Sequence, residues 1–261
     1  AQGVVGMNFG FPISDKSRAG FGMRYQYTDF SAGFSELAKE FVAENGNVFN
    51  DFFLSASYVR DTRDTAVFPT KGSLQTLRLD VSVPGSDLTY YKTSYSGIRY
   101  VPLTRKFVLS LSADLGYGDA YGDLNYLPFF ENYYAGGPRT VRGFKANTLG
   151  PRETNIPYDP VGGNTKVVGS IELFAPPPVG GEFEKTLRMG VFLDVGNVWV
   201  TKGTDLVTPT GFDLGELRYS AGFSTAWLSP IGALSFSFGW PLNEKEGDDT
   251  QVFQFGIGQT F

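Results

Sequence analysis

The chain alternates apolar and polar residues along most of its length, which predicts an all-β fold: a transmembrane antiparallel β-barrel, with about eleven strands present. Three observations point there. The first is the terminal run, in which Phe253, Phe255, Ile257 and Phe261 share one face and Gln254, Gly256, Gly258 and Thr260 the other. A period of two describes a strand with one oily and one wet side. Termini of soluble domains tend to fray, whereas the closing strand of a membrane barrel must itself span the lipid. The second is composition: 41% hydrophobic and 16% aromatic residues with 33 Gly suit a barrel better than a helix bundle. The third is the charge-free span from Tyr219 to Asn243, long enough for a membrane helix but interrupted by Ser229-Pro230-Ile231-Gly232. It reads as a hairpin. No other stretch offers a spanning helix, so any membrane crossing is by strands.

Taken in order, the first strand runs near Gly3 to Ile13, with Val5, Met7, Phe9 and Phe11 opposite Gly6, Asn8 and Gly10. The second sets Ala19, Phe21, Met23, Tyr25 and Tyr27 against Gly20, Gly22, Arg24 and Gln26. A short helix follows, in which Ser35 caps a turn whose Leu37, Ala38, Phe41 and Val42 share a face, and Asn45-Gly46 stops it. Further strands lie near 50–60, 73–83, 90–101, 106–118, 165–175, 186–199, 216–228, 233–240 and 250–261. In the fourth, Leu77, Leu79, Val81 and Val83 oppose Thr76, Arg78, Asp80 and Ser82.

Periodicity cannot say whether the oily faces form a core, as in a sandwich, or meet lipid, as in a barrel. Connection lengths favour the barrel. With the carboxyl end taken as periplasmic, the turns Pro12–Arg18, Pro102–Lys106 and Ser229–Gly232 fall on that side and are tight. The long connections Phe30–Val48, Asp119–Asn164 and Val200–Gly215 fall on the other side, the asymmetry of known barrels. The medium segment Asp61–Gly72 and the short turn Pro84–Thr89 are exceptions. Tyr27, Trp199 and Trp240 at one rim, with Trp227 and Phe261 at the other, fit interfacial aromatic girdles.

Several functions are disfavoured. The net charge of −5 lacks the basic face that nucleic acid requires. With neither Cys nor His there is no thiolate or imidazole metal ligand and no histidine base, so no enzyme, catalytic residue, metal or cofactor is expected. Asp119 and Asp123 flank a Gly-rich turn but lack the ligand count of a calcium loop. Glu244, Glu246, Asp248 and Asp249 read as an acidic surface loop serving solubility. The glycines from Gly3 to Gly10 belong to a strand, not to a phosphate loop.

The connection 119–164 is too long for an idle turn. It contains Phe130-Glu131-Asn132-Tyr133-Tyr134-Ala135-Gly136-Gly137 and then Thr140-Val141-Arg142-Gly143-Phe144. Spacing leaves Arg142 open between a solvated loop-tip charge and a guanidinium turned inward onto carboxylates. Alternation supplies two inward candidates, Asp194 and Glu172. This run closely resembles the signature of the BamA family of outer-membrane protein assembly factors, with its Val-Arg-Gly-Phe loop tip. Arg63-Asp64 and Phe68-Pro69-Thr70-Lys71-Gly72 look like that family's periplasmic turn, Phe192 to Trp199 like the strand that receives the loop, and the terminal segment like its closing strand.

The resemblance implies a sixteen-stranded bacterial outer-membrane barrel preceded by POTRA domains. Residues 1–261 would then be a partial barrel domain without POTRA domains, a fragment opening near the sixth strand. Loop 119–164 would be extracellular and fold into the lumen, with Val141, Arg142, Gly143 and Phe144 at its tip and Asp194 and Glu172 as partners of Arg142. Phe253, Phe255, Ile257, Gly258 and Phe261 would form one edge of a lateral seam. The implied function is insertion of other β-barrel proteins by strand templating. The implied partners are nascent outer-membrane proteins, outer-membrane lipid and accessory lipoproteins. A two-partner-secretion transporter or a passive pore is the alternative, for which Arg24, Arg78, Arg188 and Arg218 supply inward charges.

Overall fold

The computed structural model describes residues 1–30, 36–154, 159–178, 186–202, 207, 211–230 and 232–257. Eleven strands form a single antiparallel sheet in which neighbours in sequence are neighbours in space. These are β1 (Gln2–Ser14), β2 (Ser17–Asp29), β3 (Val48–Asp61), β4 (Gly72–Ser82), β5 (Tyr90–Pro102) and β6 (Val108–Ala120). After a two-residue strand β7 (Gly143–Phe144) come β8 (Thr165–Ala175), β9 (Leu187–Trp199), β10 (Arg218–Ser229) and β11 (Gly232–Pro241). The chain closes with β12 (Thr250–Gln251) and β13 (Phe253–Ile257). Apart from the last, the strands of the large sheet lie close to where the alternation places them. No helix among the described residues is long and apolar enough to cross a membrane.

Exposure settles which way the faces look. Phe9, Phe21, Leu54, Leu79, Leu111, Ile171, Val191, Phe223 and Phe238 are all exposed, although each belongs to the oily side of its strand. The polar sides are covered instead: Gln26, Asp51, Ser82, Ser110, Asp194, Ser220, Ser237 and Gln254 are buried. Phe253 and Phe255, which a sandwich would enclose, are 48% and 45% exposed. A sheet that shows its hydrocarbon outward and folds its polar groups inward is built for lipid.

The sheet also curls. Ten inter-strand steps of ~4.8 Å would spread a flat sheet over nearly 50 Å. Yet the β6–β8 connection touches β5 through Tyr133, β9 through Arg142, β11 through Gly143 and β13 through Phe144. One loop reaches all of them because the wall wraps around it. Among the described residues no ladder joins β1 to β13, so both present an edge.

The apolar packing that does exist is at the long-loop end and around the loop. Helix α1 (Glu36–Asn45) buries Leu37, Ala38 and Phe41, and Phe41 packs with Phe49, Phe129 and Phe130. Gly46, at φ +92°, ends the helix by donating its N–H to the Val42 carbonyl at 2.8 Å. The capping role of Ser35 lies outside the described residues.

Three expectations need correction. The run 250–261 is not one strand: Thr250 and Gln251 pair with Phe144 and Gly143 of the loop, and only Phe253–Ile257 pairs with β11. The inserted loop competes for the backbone of residues 250–251 and wins it from the sheet; Gly258 and Phe261 lie outside the described residues. Trp199 is no girdle residue. It is fully buried, its ring 4.8 Å from that of Phe212 and its indole N–H on the Asp213 carbonyl, because the β9–β10 connection covers it. The acidic loop is partly internal: Asp248 accepts Arg218 Nε at 2.5 Å and Asp249 accepts Arg152 at 2.9 Å. Asp119, which the sequence does not mark as a calcium ligand, is engaged by Lys202 at 2.9 Å.

Candidate functional site

The site grows from the parity of two neighbouring strands. On β9 the even positions 188 to 198 face inward, which brings Arg188, Phe192 and Asp194 into one stripe. On β8, Ser170 pairs in register with Asp194, and Glu172 with Phe192. A carboxylate on each strand, a hydroxyl and a ring thus share a patch about two residues square.

Arg142 fills that patch. Its Nε and Nη2 donate to the two Asp194 oxygens at 2.7 and 2.8 Å, the bidentate fork that a planar guanidinium makes best. Nη1 donates to Glu172 Oε2 at 3.0 Å and Nη2 to Ser170 Oγ at 3.1 Å. The backbone N–H of Arg142 also reaches Asp194, at 3.0 Å. Beneath, the guanidinium carbon stands 3.4 Å from the centroid of the Phe192 ring. The carboxylates are braced in turn: the Ser170 hydroxyl donates to Asp194 at 2.5 Å and the Ser224 hydroxyl to Glu172. Asp194 is 0% and the Arg142 side chain 12% exposed, so this is a buried ion triad rather than a solvated tip.

The rest of the tip is fixed by backbone. Gly143 has φ +90°, and a Cβ there would stand 2.9 Å from the Gly239 carbonyl oxygen, closer than a side chain tolerates. Glycine lets the loop lie directly on β11. Val141 and Phe144 are fully buried with Ala135, Leu149, Val168 and Val198. The Gln254 side chain donates to the Phe144 carbonyl at 2.6 Å, and Lys145 N–H donates to the Asp249 carbonyl at 2.8 Å. Earlier in the loop, Lys92 pairs with Glu131 at 3.0 Å and the Tyr133 hydroxyl donates to the Thr93 carbonyl at 2.9 Å. Burial pushes the Tyr133 phenol above its usual range, which keeps it a donor. Phe253, Phe255 and Ile257 face outward, away from these contacts.

A second clasp was not legible in the sequence. Arg188, at the short-turn end of the same β9 stripe, donates to the Pro69 carbonyl at 2.9 Å across 119 residues of chain. Its guanidinium lies 4.2 Å from the Phe174 ring and 6.0 Å from those of Phe68 and Tyr100. The turn it holds is prefolded. Asp64 accepts Thr70 Oγ1 at 2.5 Å and Thr70, Lys71 and Thr65 N–H groups between 2.9 and 3.3 Å. Desolvation opposes ionisation of Asp64, but these donors together hold its carboxyl down at about 2. Phe68 adopts φ +49°, a left-handed conformation that a bulky residue keeps only where its surroundings insist. Inward parity marked Arg188 as a wall charge, but nothing local points to a carbonyl in a turn four strands away.

A cavity of about 570 Å³ lies between the two clasps, bounded by Arg142 and Thr140 on one side and by Tyr100 and Phe174 on the other. Serines dominate the wall, among them Ser96, Ser110, Ser112 and Ser237. Of the inward arginines, Arg24 stands 3.6 Å from Asp80, Arg218 is bound by Asp248, and Arg78 is exposed. Among the described residues no cluster of acidic side chains could hold a metal ion.

Comparison with known proteins places this geometry. The outer membrane protein assembly factor BamA of Neisseria meningitidis serogroup B is 32% identical over 98% of the chain, which spans 36% of that relative's length. The crystal structure of BamA from Haemophilus ducreyi lacking POTRA domains 1–3 superposes with a TM-score of 0.86 at 28% identity, covering 100% of the chain and 54% of that structure. CdiB from Escherichia coli gives a TM-score of 0.59 at 14% identity over 97% of the chain and 44% of its own, a likeness of fold alone. The Omp85 superfamily domain matches residues 2–261, and the chain belongs to that superfamily.

Proposed function

We propose that this chain is strand wall and plug loop of an integral bacterial outer-membrane barrel, and that the complete protein assembles and inserts other β-barrel proteins. Residues 119–164 are then an extracellular loop turned into the lumen. Val141, Arg142, Gly143 and Phe144 brace its interior against Asp194 and Glu172. The terminal segment, including Phe253, Phe255, Ile257, Gly258 and Phe261, is one edge of a lateral seam. A nascent outer-membrane protein would pair its strand with that edge through backbone hydrogen bonds. Surrounding lipid and accessory lipoproteins are further partners of the whole protein. No bond is made or broken in the client, so catalytic side chains are not required.

The observation that carries this reading is the direct attachment of the loop tip to the terminal segment. Gly143 and Phe144 pair with Gln251 and Thr250, and Gln254 of β13 holds the Phe144 carbonyl. A wedge tied to the last strand can set how firmly that strand closes its seam. A passive pore has no use for such a tie, and the likeness to CdiB carries no more than the fold.

The test is reconstitution of the complete parent protein with Arg142→Ala and Asp194→Ala separately, followed by the rate at which an unfolded client barrel acquires its folded, detergent-resistant form. Loss of client folding in both variants is expected. Unchanged client folding in both sinks the bracing role. Single-channel recording separates the alternative, since a large steady conductance from the parent protein would mark a pore.

A further inference from the structure

Exposed charge is sorted between the two ends of the wall. The short-turn end exposes Lys16, Arg60, Lys71, Arg99, Arg105 and Lys106. Among the described residues none of these six side chains takes part in an ion pair. Among the described residues three acids stand at that end, all exposed: Asp15, Asp61, which pairs with Arg63 at 2.8 Å, and Asp64, whose carboxylate accepts hydrogen bonds within its own turn. The long-loop end exposes Glu36, Glu44, Asp87, Asp123, Glu244 and Glu246, and its exposed Lys39, Lys202 and Lys245 are each held in an ion pair.

Two of the cations are on the sheet face itself. Arg60 follows Phe52, Leu54 and Tyr58 on the outward side of β3, and Arg99 pairs in register with the outward Leu111. Both therefore stand at the edge of the apolar band, with Leu103 and Phe107 exposed beside Arg105 and Lys106. A cation facing lipid is costly at mid-bilayer and nearly free at the interface, where its stem lies along hydrocarbon and its head reaches the phosphates. A chain of net charge −5 that gathers six exposed cations at one rim, without an ion pair among the described residues, creates a local positive potential against its overall sign.

We propose that this rim is a docking surface for anionic phospholipid headgroups in the leaflet next to the short turns. The proposal rests on the reading of the chain as a membrane barrel. Headgroups fit better than an acidic protein because Arg60 and Arg99 project from the same face as the exposed apolar side chains, where lipid already covers the wall. Bound anionic lipid would fix the depth of β3–β6 in the bilayer and hold that part of the wall against vertical slip.

The experiment uses the complete parent protein in phosphatidylcholine vesicles containing trace spin-labelled phosphatidylglycerol or spin-labelled phosphatidylcholine. The motionally restricted fraction of each label reports which lipid the protein prefers. At low ionic strength a preference of about threefold for phosphatidylglycerol is expected, shrinking with added salt. In Arg60→Gln/Arg99→Gln/Arg105→Gln/Lys106→Gln it falls to about onefold, while resistance to unfolding in detergent is kept because these side chains brace nothing inside. Equal restriction of the two labels by the wild type, or an undiminished preference in the quadruple variant, overturns the proposal. Equal restriction with normal client insertion would remove the lipid rim and leave the assembly reading standing. Lost client insertion with lipid preference intact would do the reverse.

Discussion

Removing the guanidinium of Arg142 should strand two carboxylates. Asp194 is fully buried and receives four of its hydrogen bonds from Arg142 and Ser170, and Glu172 stands on the other side of the same cation. Breaking a buried ion pair by deleting one partner costs about 3–5 kcal/mol, because the remaining charge has nothing to offset its desolvation. The adjoining cavity borders both Arg142 and Glu172, and water admitted there would screen them, so the lower end of about 3 kcal/mol is the working value. The assay is a double-mutant cycle on the parent protein, with Arg142→Met, Asp194→Asn and the double variant unfolded reversibly by urea in lipid vesicles. Each single change should cost about 3 kcal/mol and the double about 4, a coupling of about 2 kcal/mol. Singles costing below about 1 kcal/mol each, adding without coupling, are the behaviour of an exposed pair and would refute the buried triad.

Other perturbations have equally defined outcomes. Gly143→Ala places a Cβ against the Gly239 carbonyl on a left-handed backbone and should cost about 1–3 kcal/mol, with protease cleavage in loop 119–164 as the local readout. Arg188→Ala should cost about 2 kcal/mol through loss of the Pro69 hydrogen bond and the ring contacts, and should expose the turn Thr62–Lys71 to protease. If the turn stays resistant, the clasp is decorative. Asp64 has a folded pKa below its ordinary value, so its contribution is complete above about pH 4 and fades as pH falls toward about 2. Asp64→Ala should flatten the parent protein's stability profile across that window, and an unchanged profile counts against the caged turn. Val191→Arg, on the exposed side of β9, should cost about 2–4 kcal/mol in lipid, whereas Ser112→Arg, lining the cavity, should cost little. The opposite ranking would invert the wall.

The sequence by itself determined where the strands lie and which residues share a side, because the pleat turns successive side chains to opposite faces whatever surrounds them. Strand β8 occupies Thr165–Ala175, the span its alternation marks, and the parity of Asp194 and Glu172 is fixed as soon as Val191 and Ile171 are recognised as oily. Stability of a face against slippage works at short range too, since one residue of shift would exchange lipid and lumen along the whole strand. Tertiary structure alone decided where the loop travels, and long loops carry no periodicity from which to read a path. That decision tied Phe144 to Gln254 across 110 positions, withdrew Thr250 and Gln251 from the closing strand, and brought the acidic loop onto Arg218 and Arg152. It also set Pro69 on Arg188 and hid Trp199 beneath its own connection. Each of these is a contact between segments far apart in the chain, made only because a curled sheet encloses a volume that its polar side chains and loops must fill.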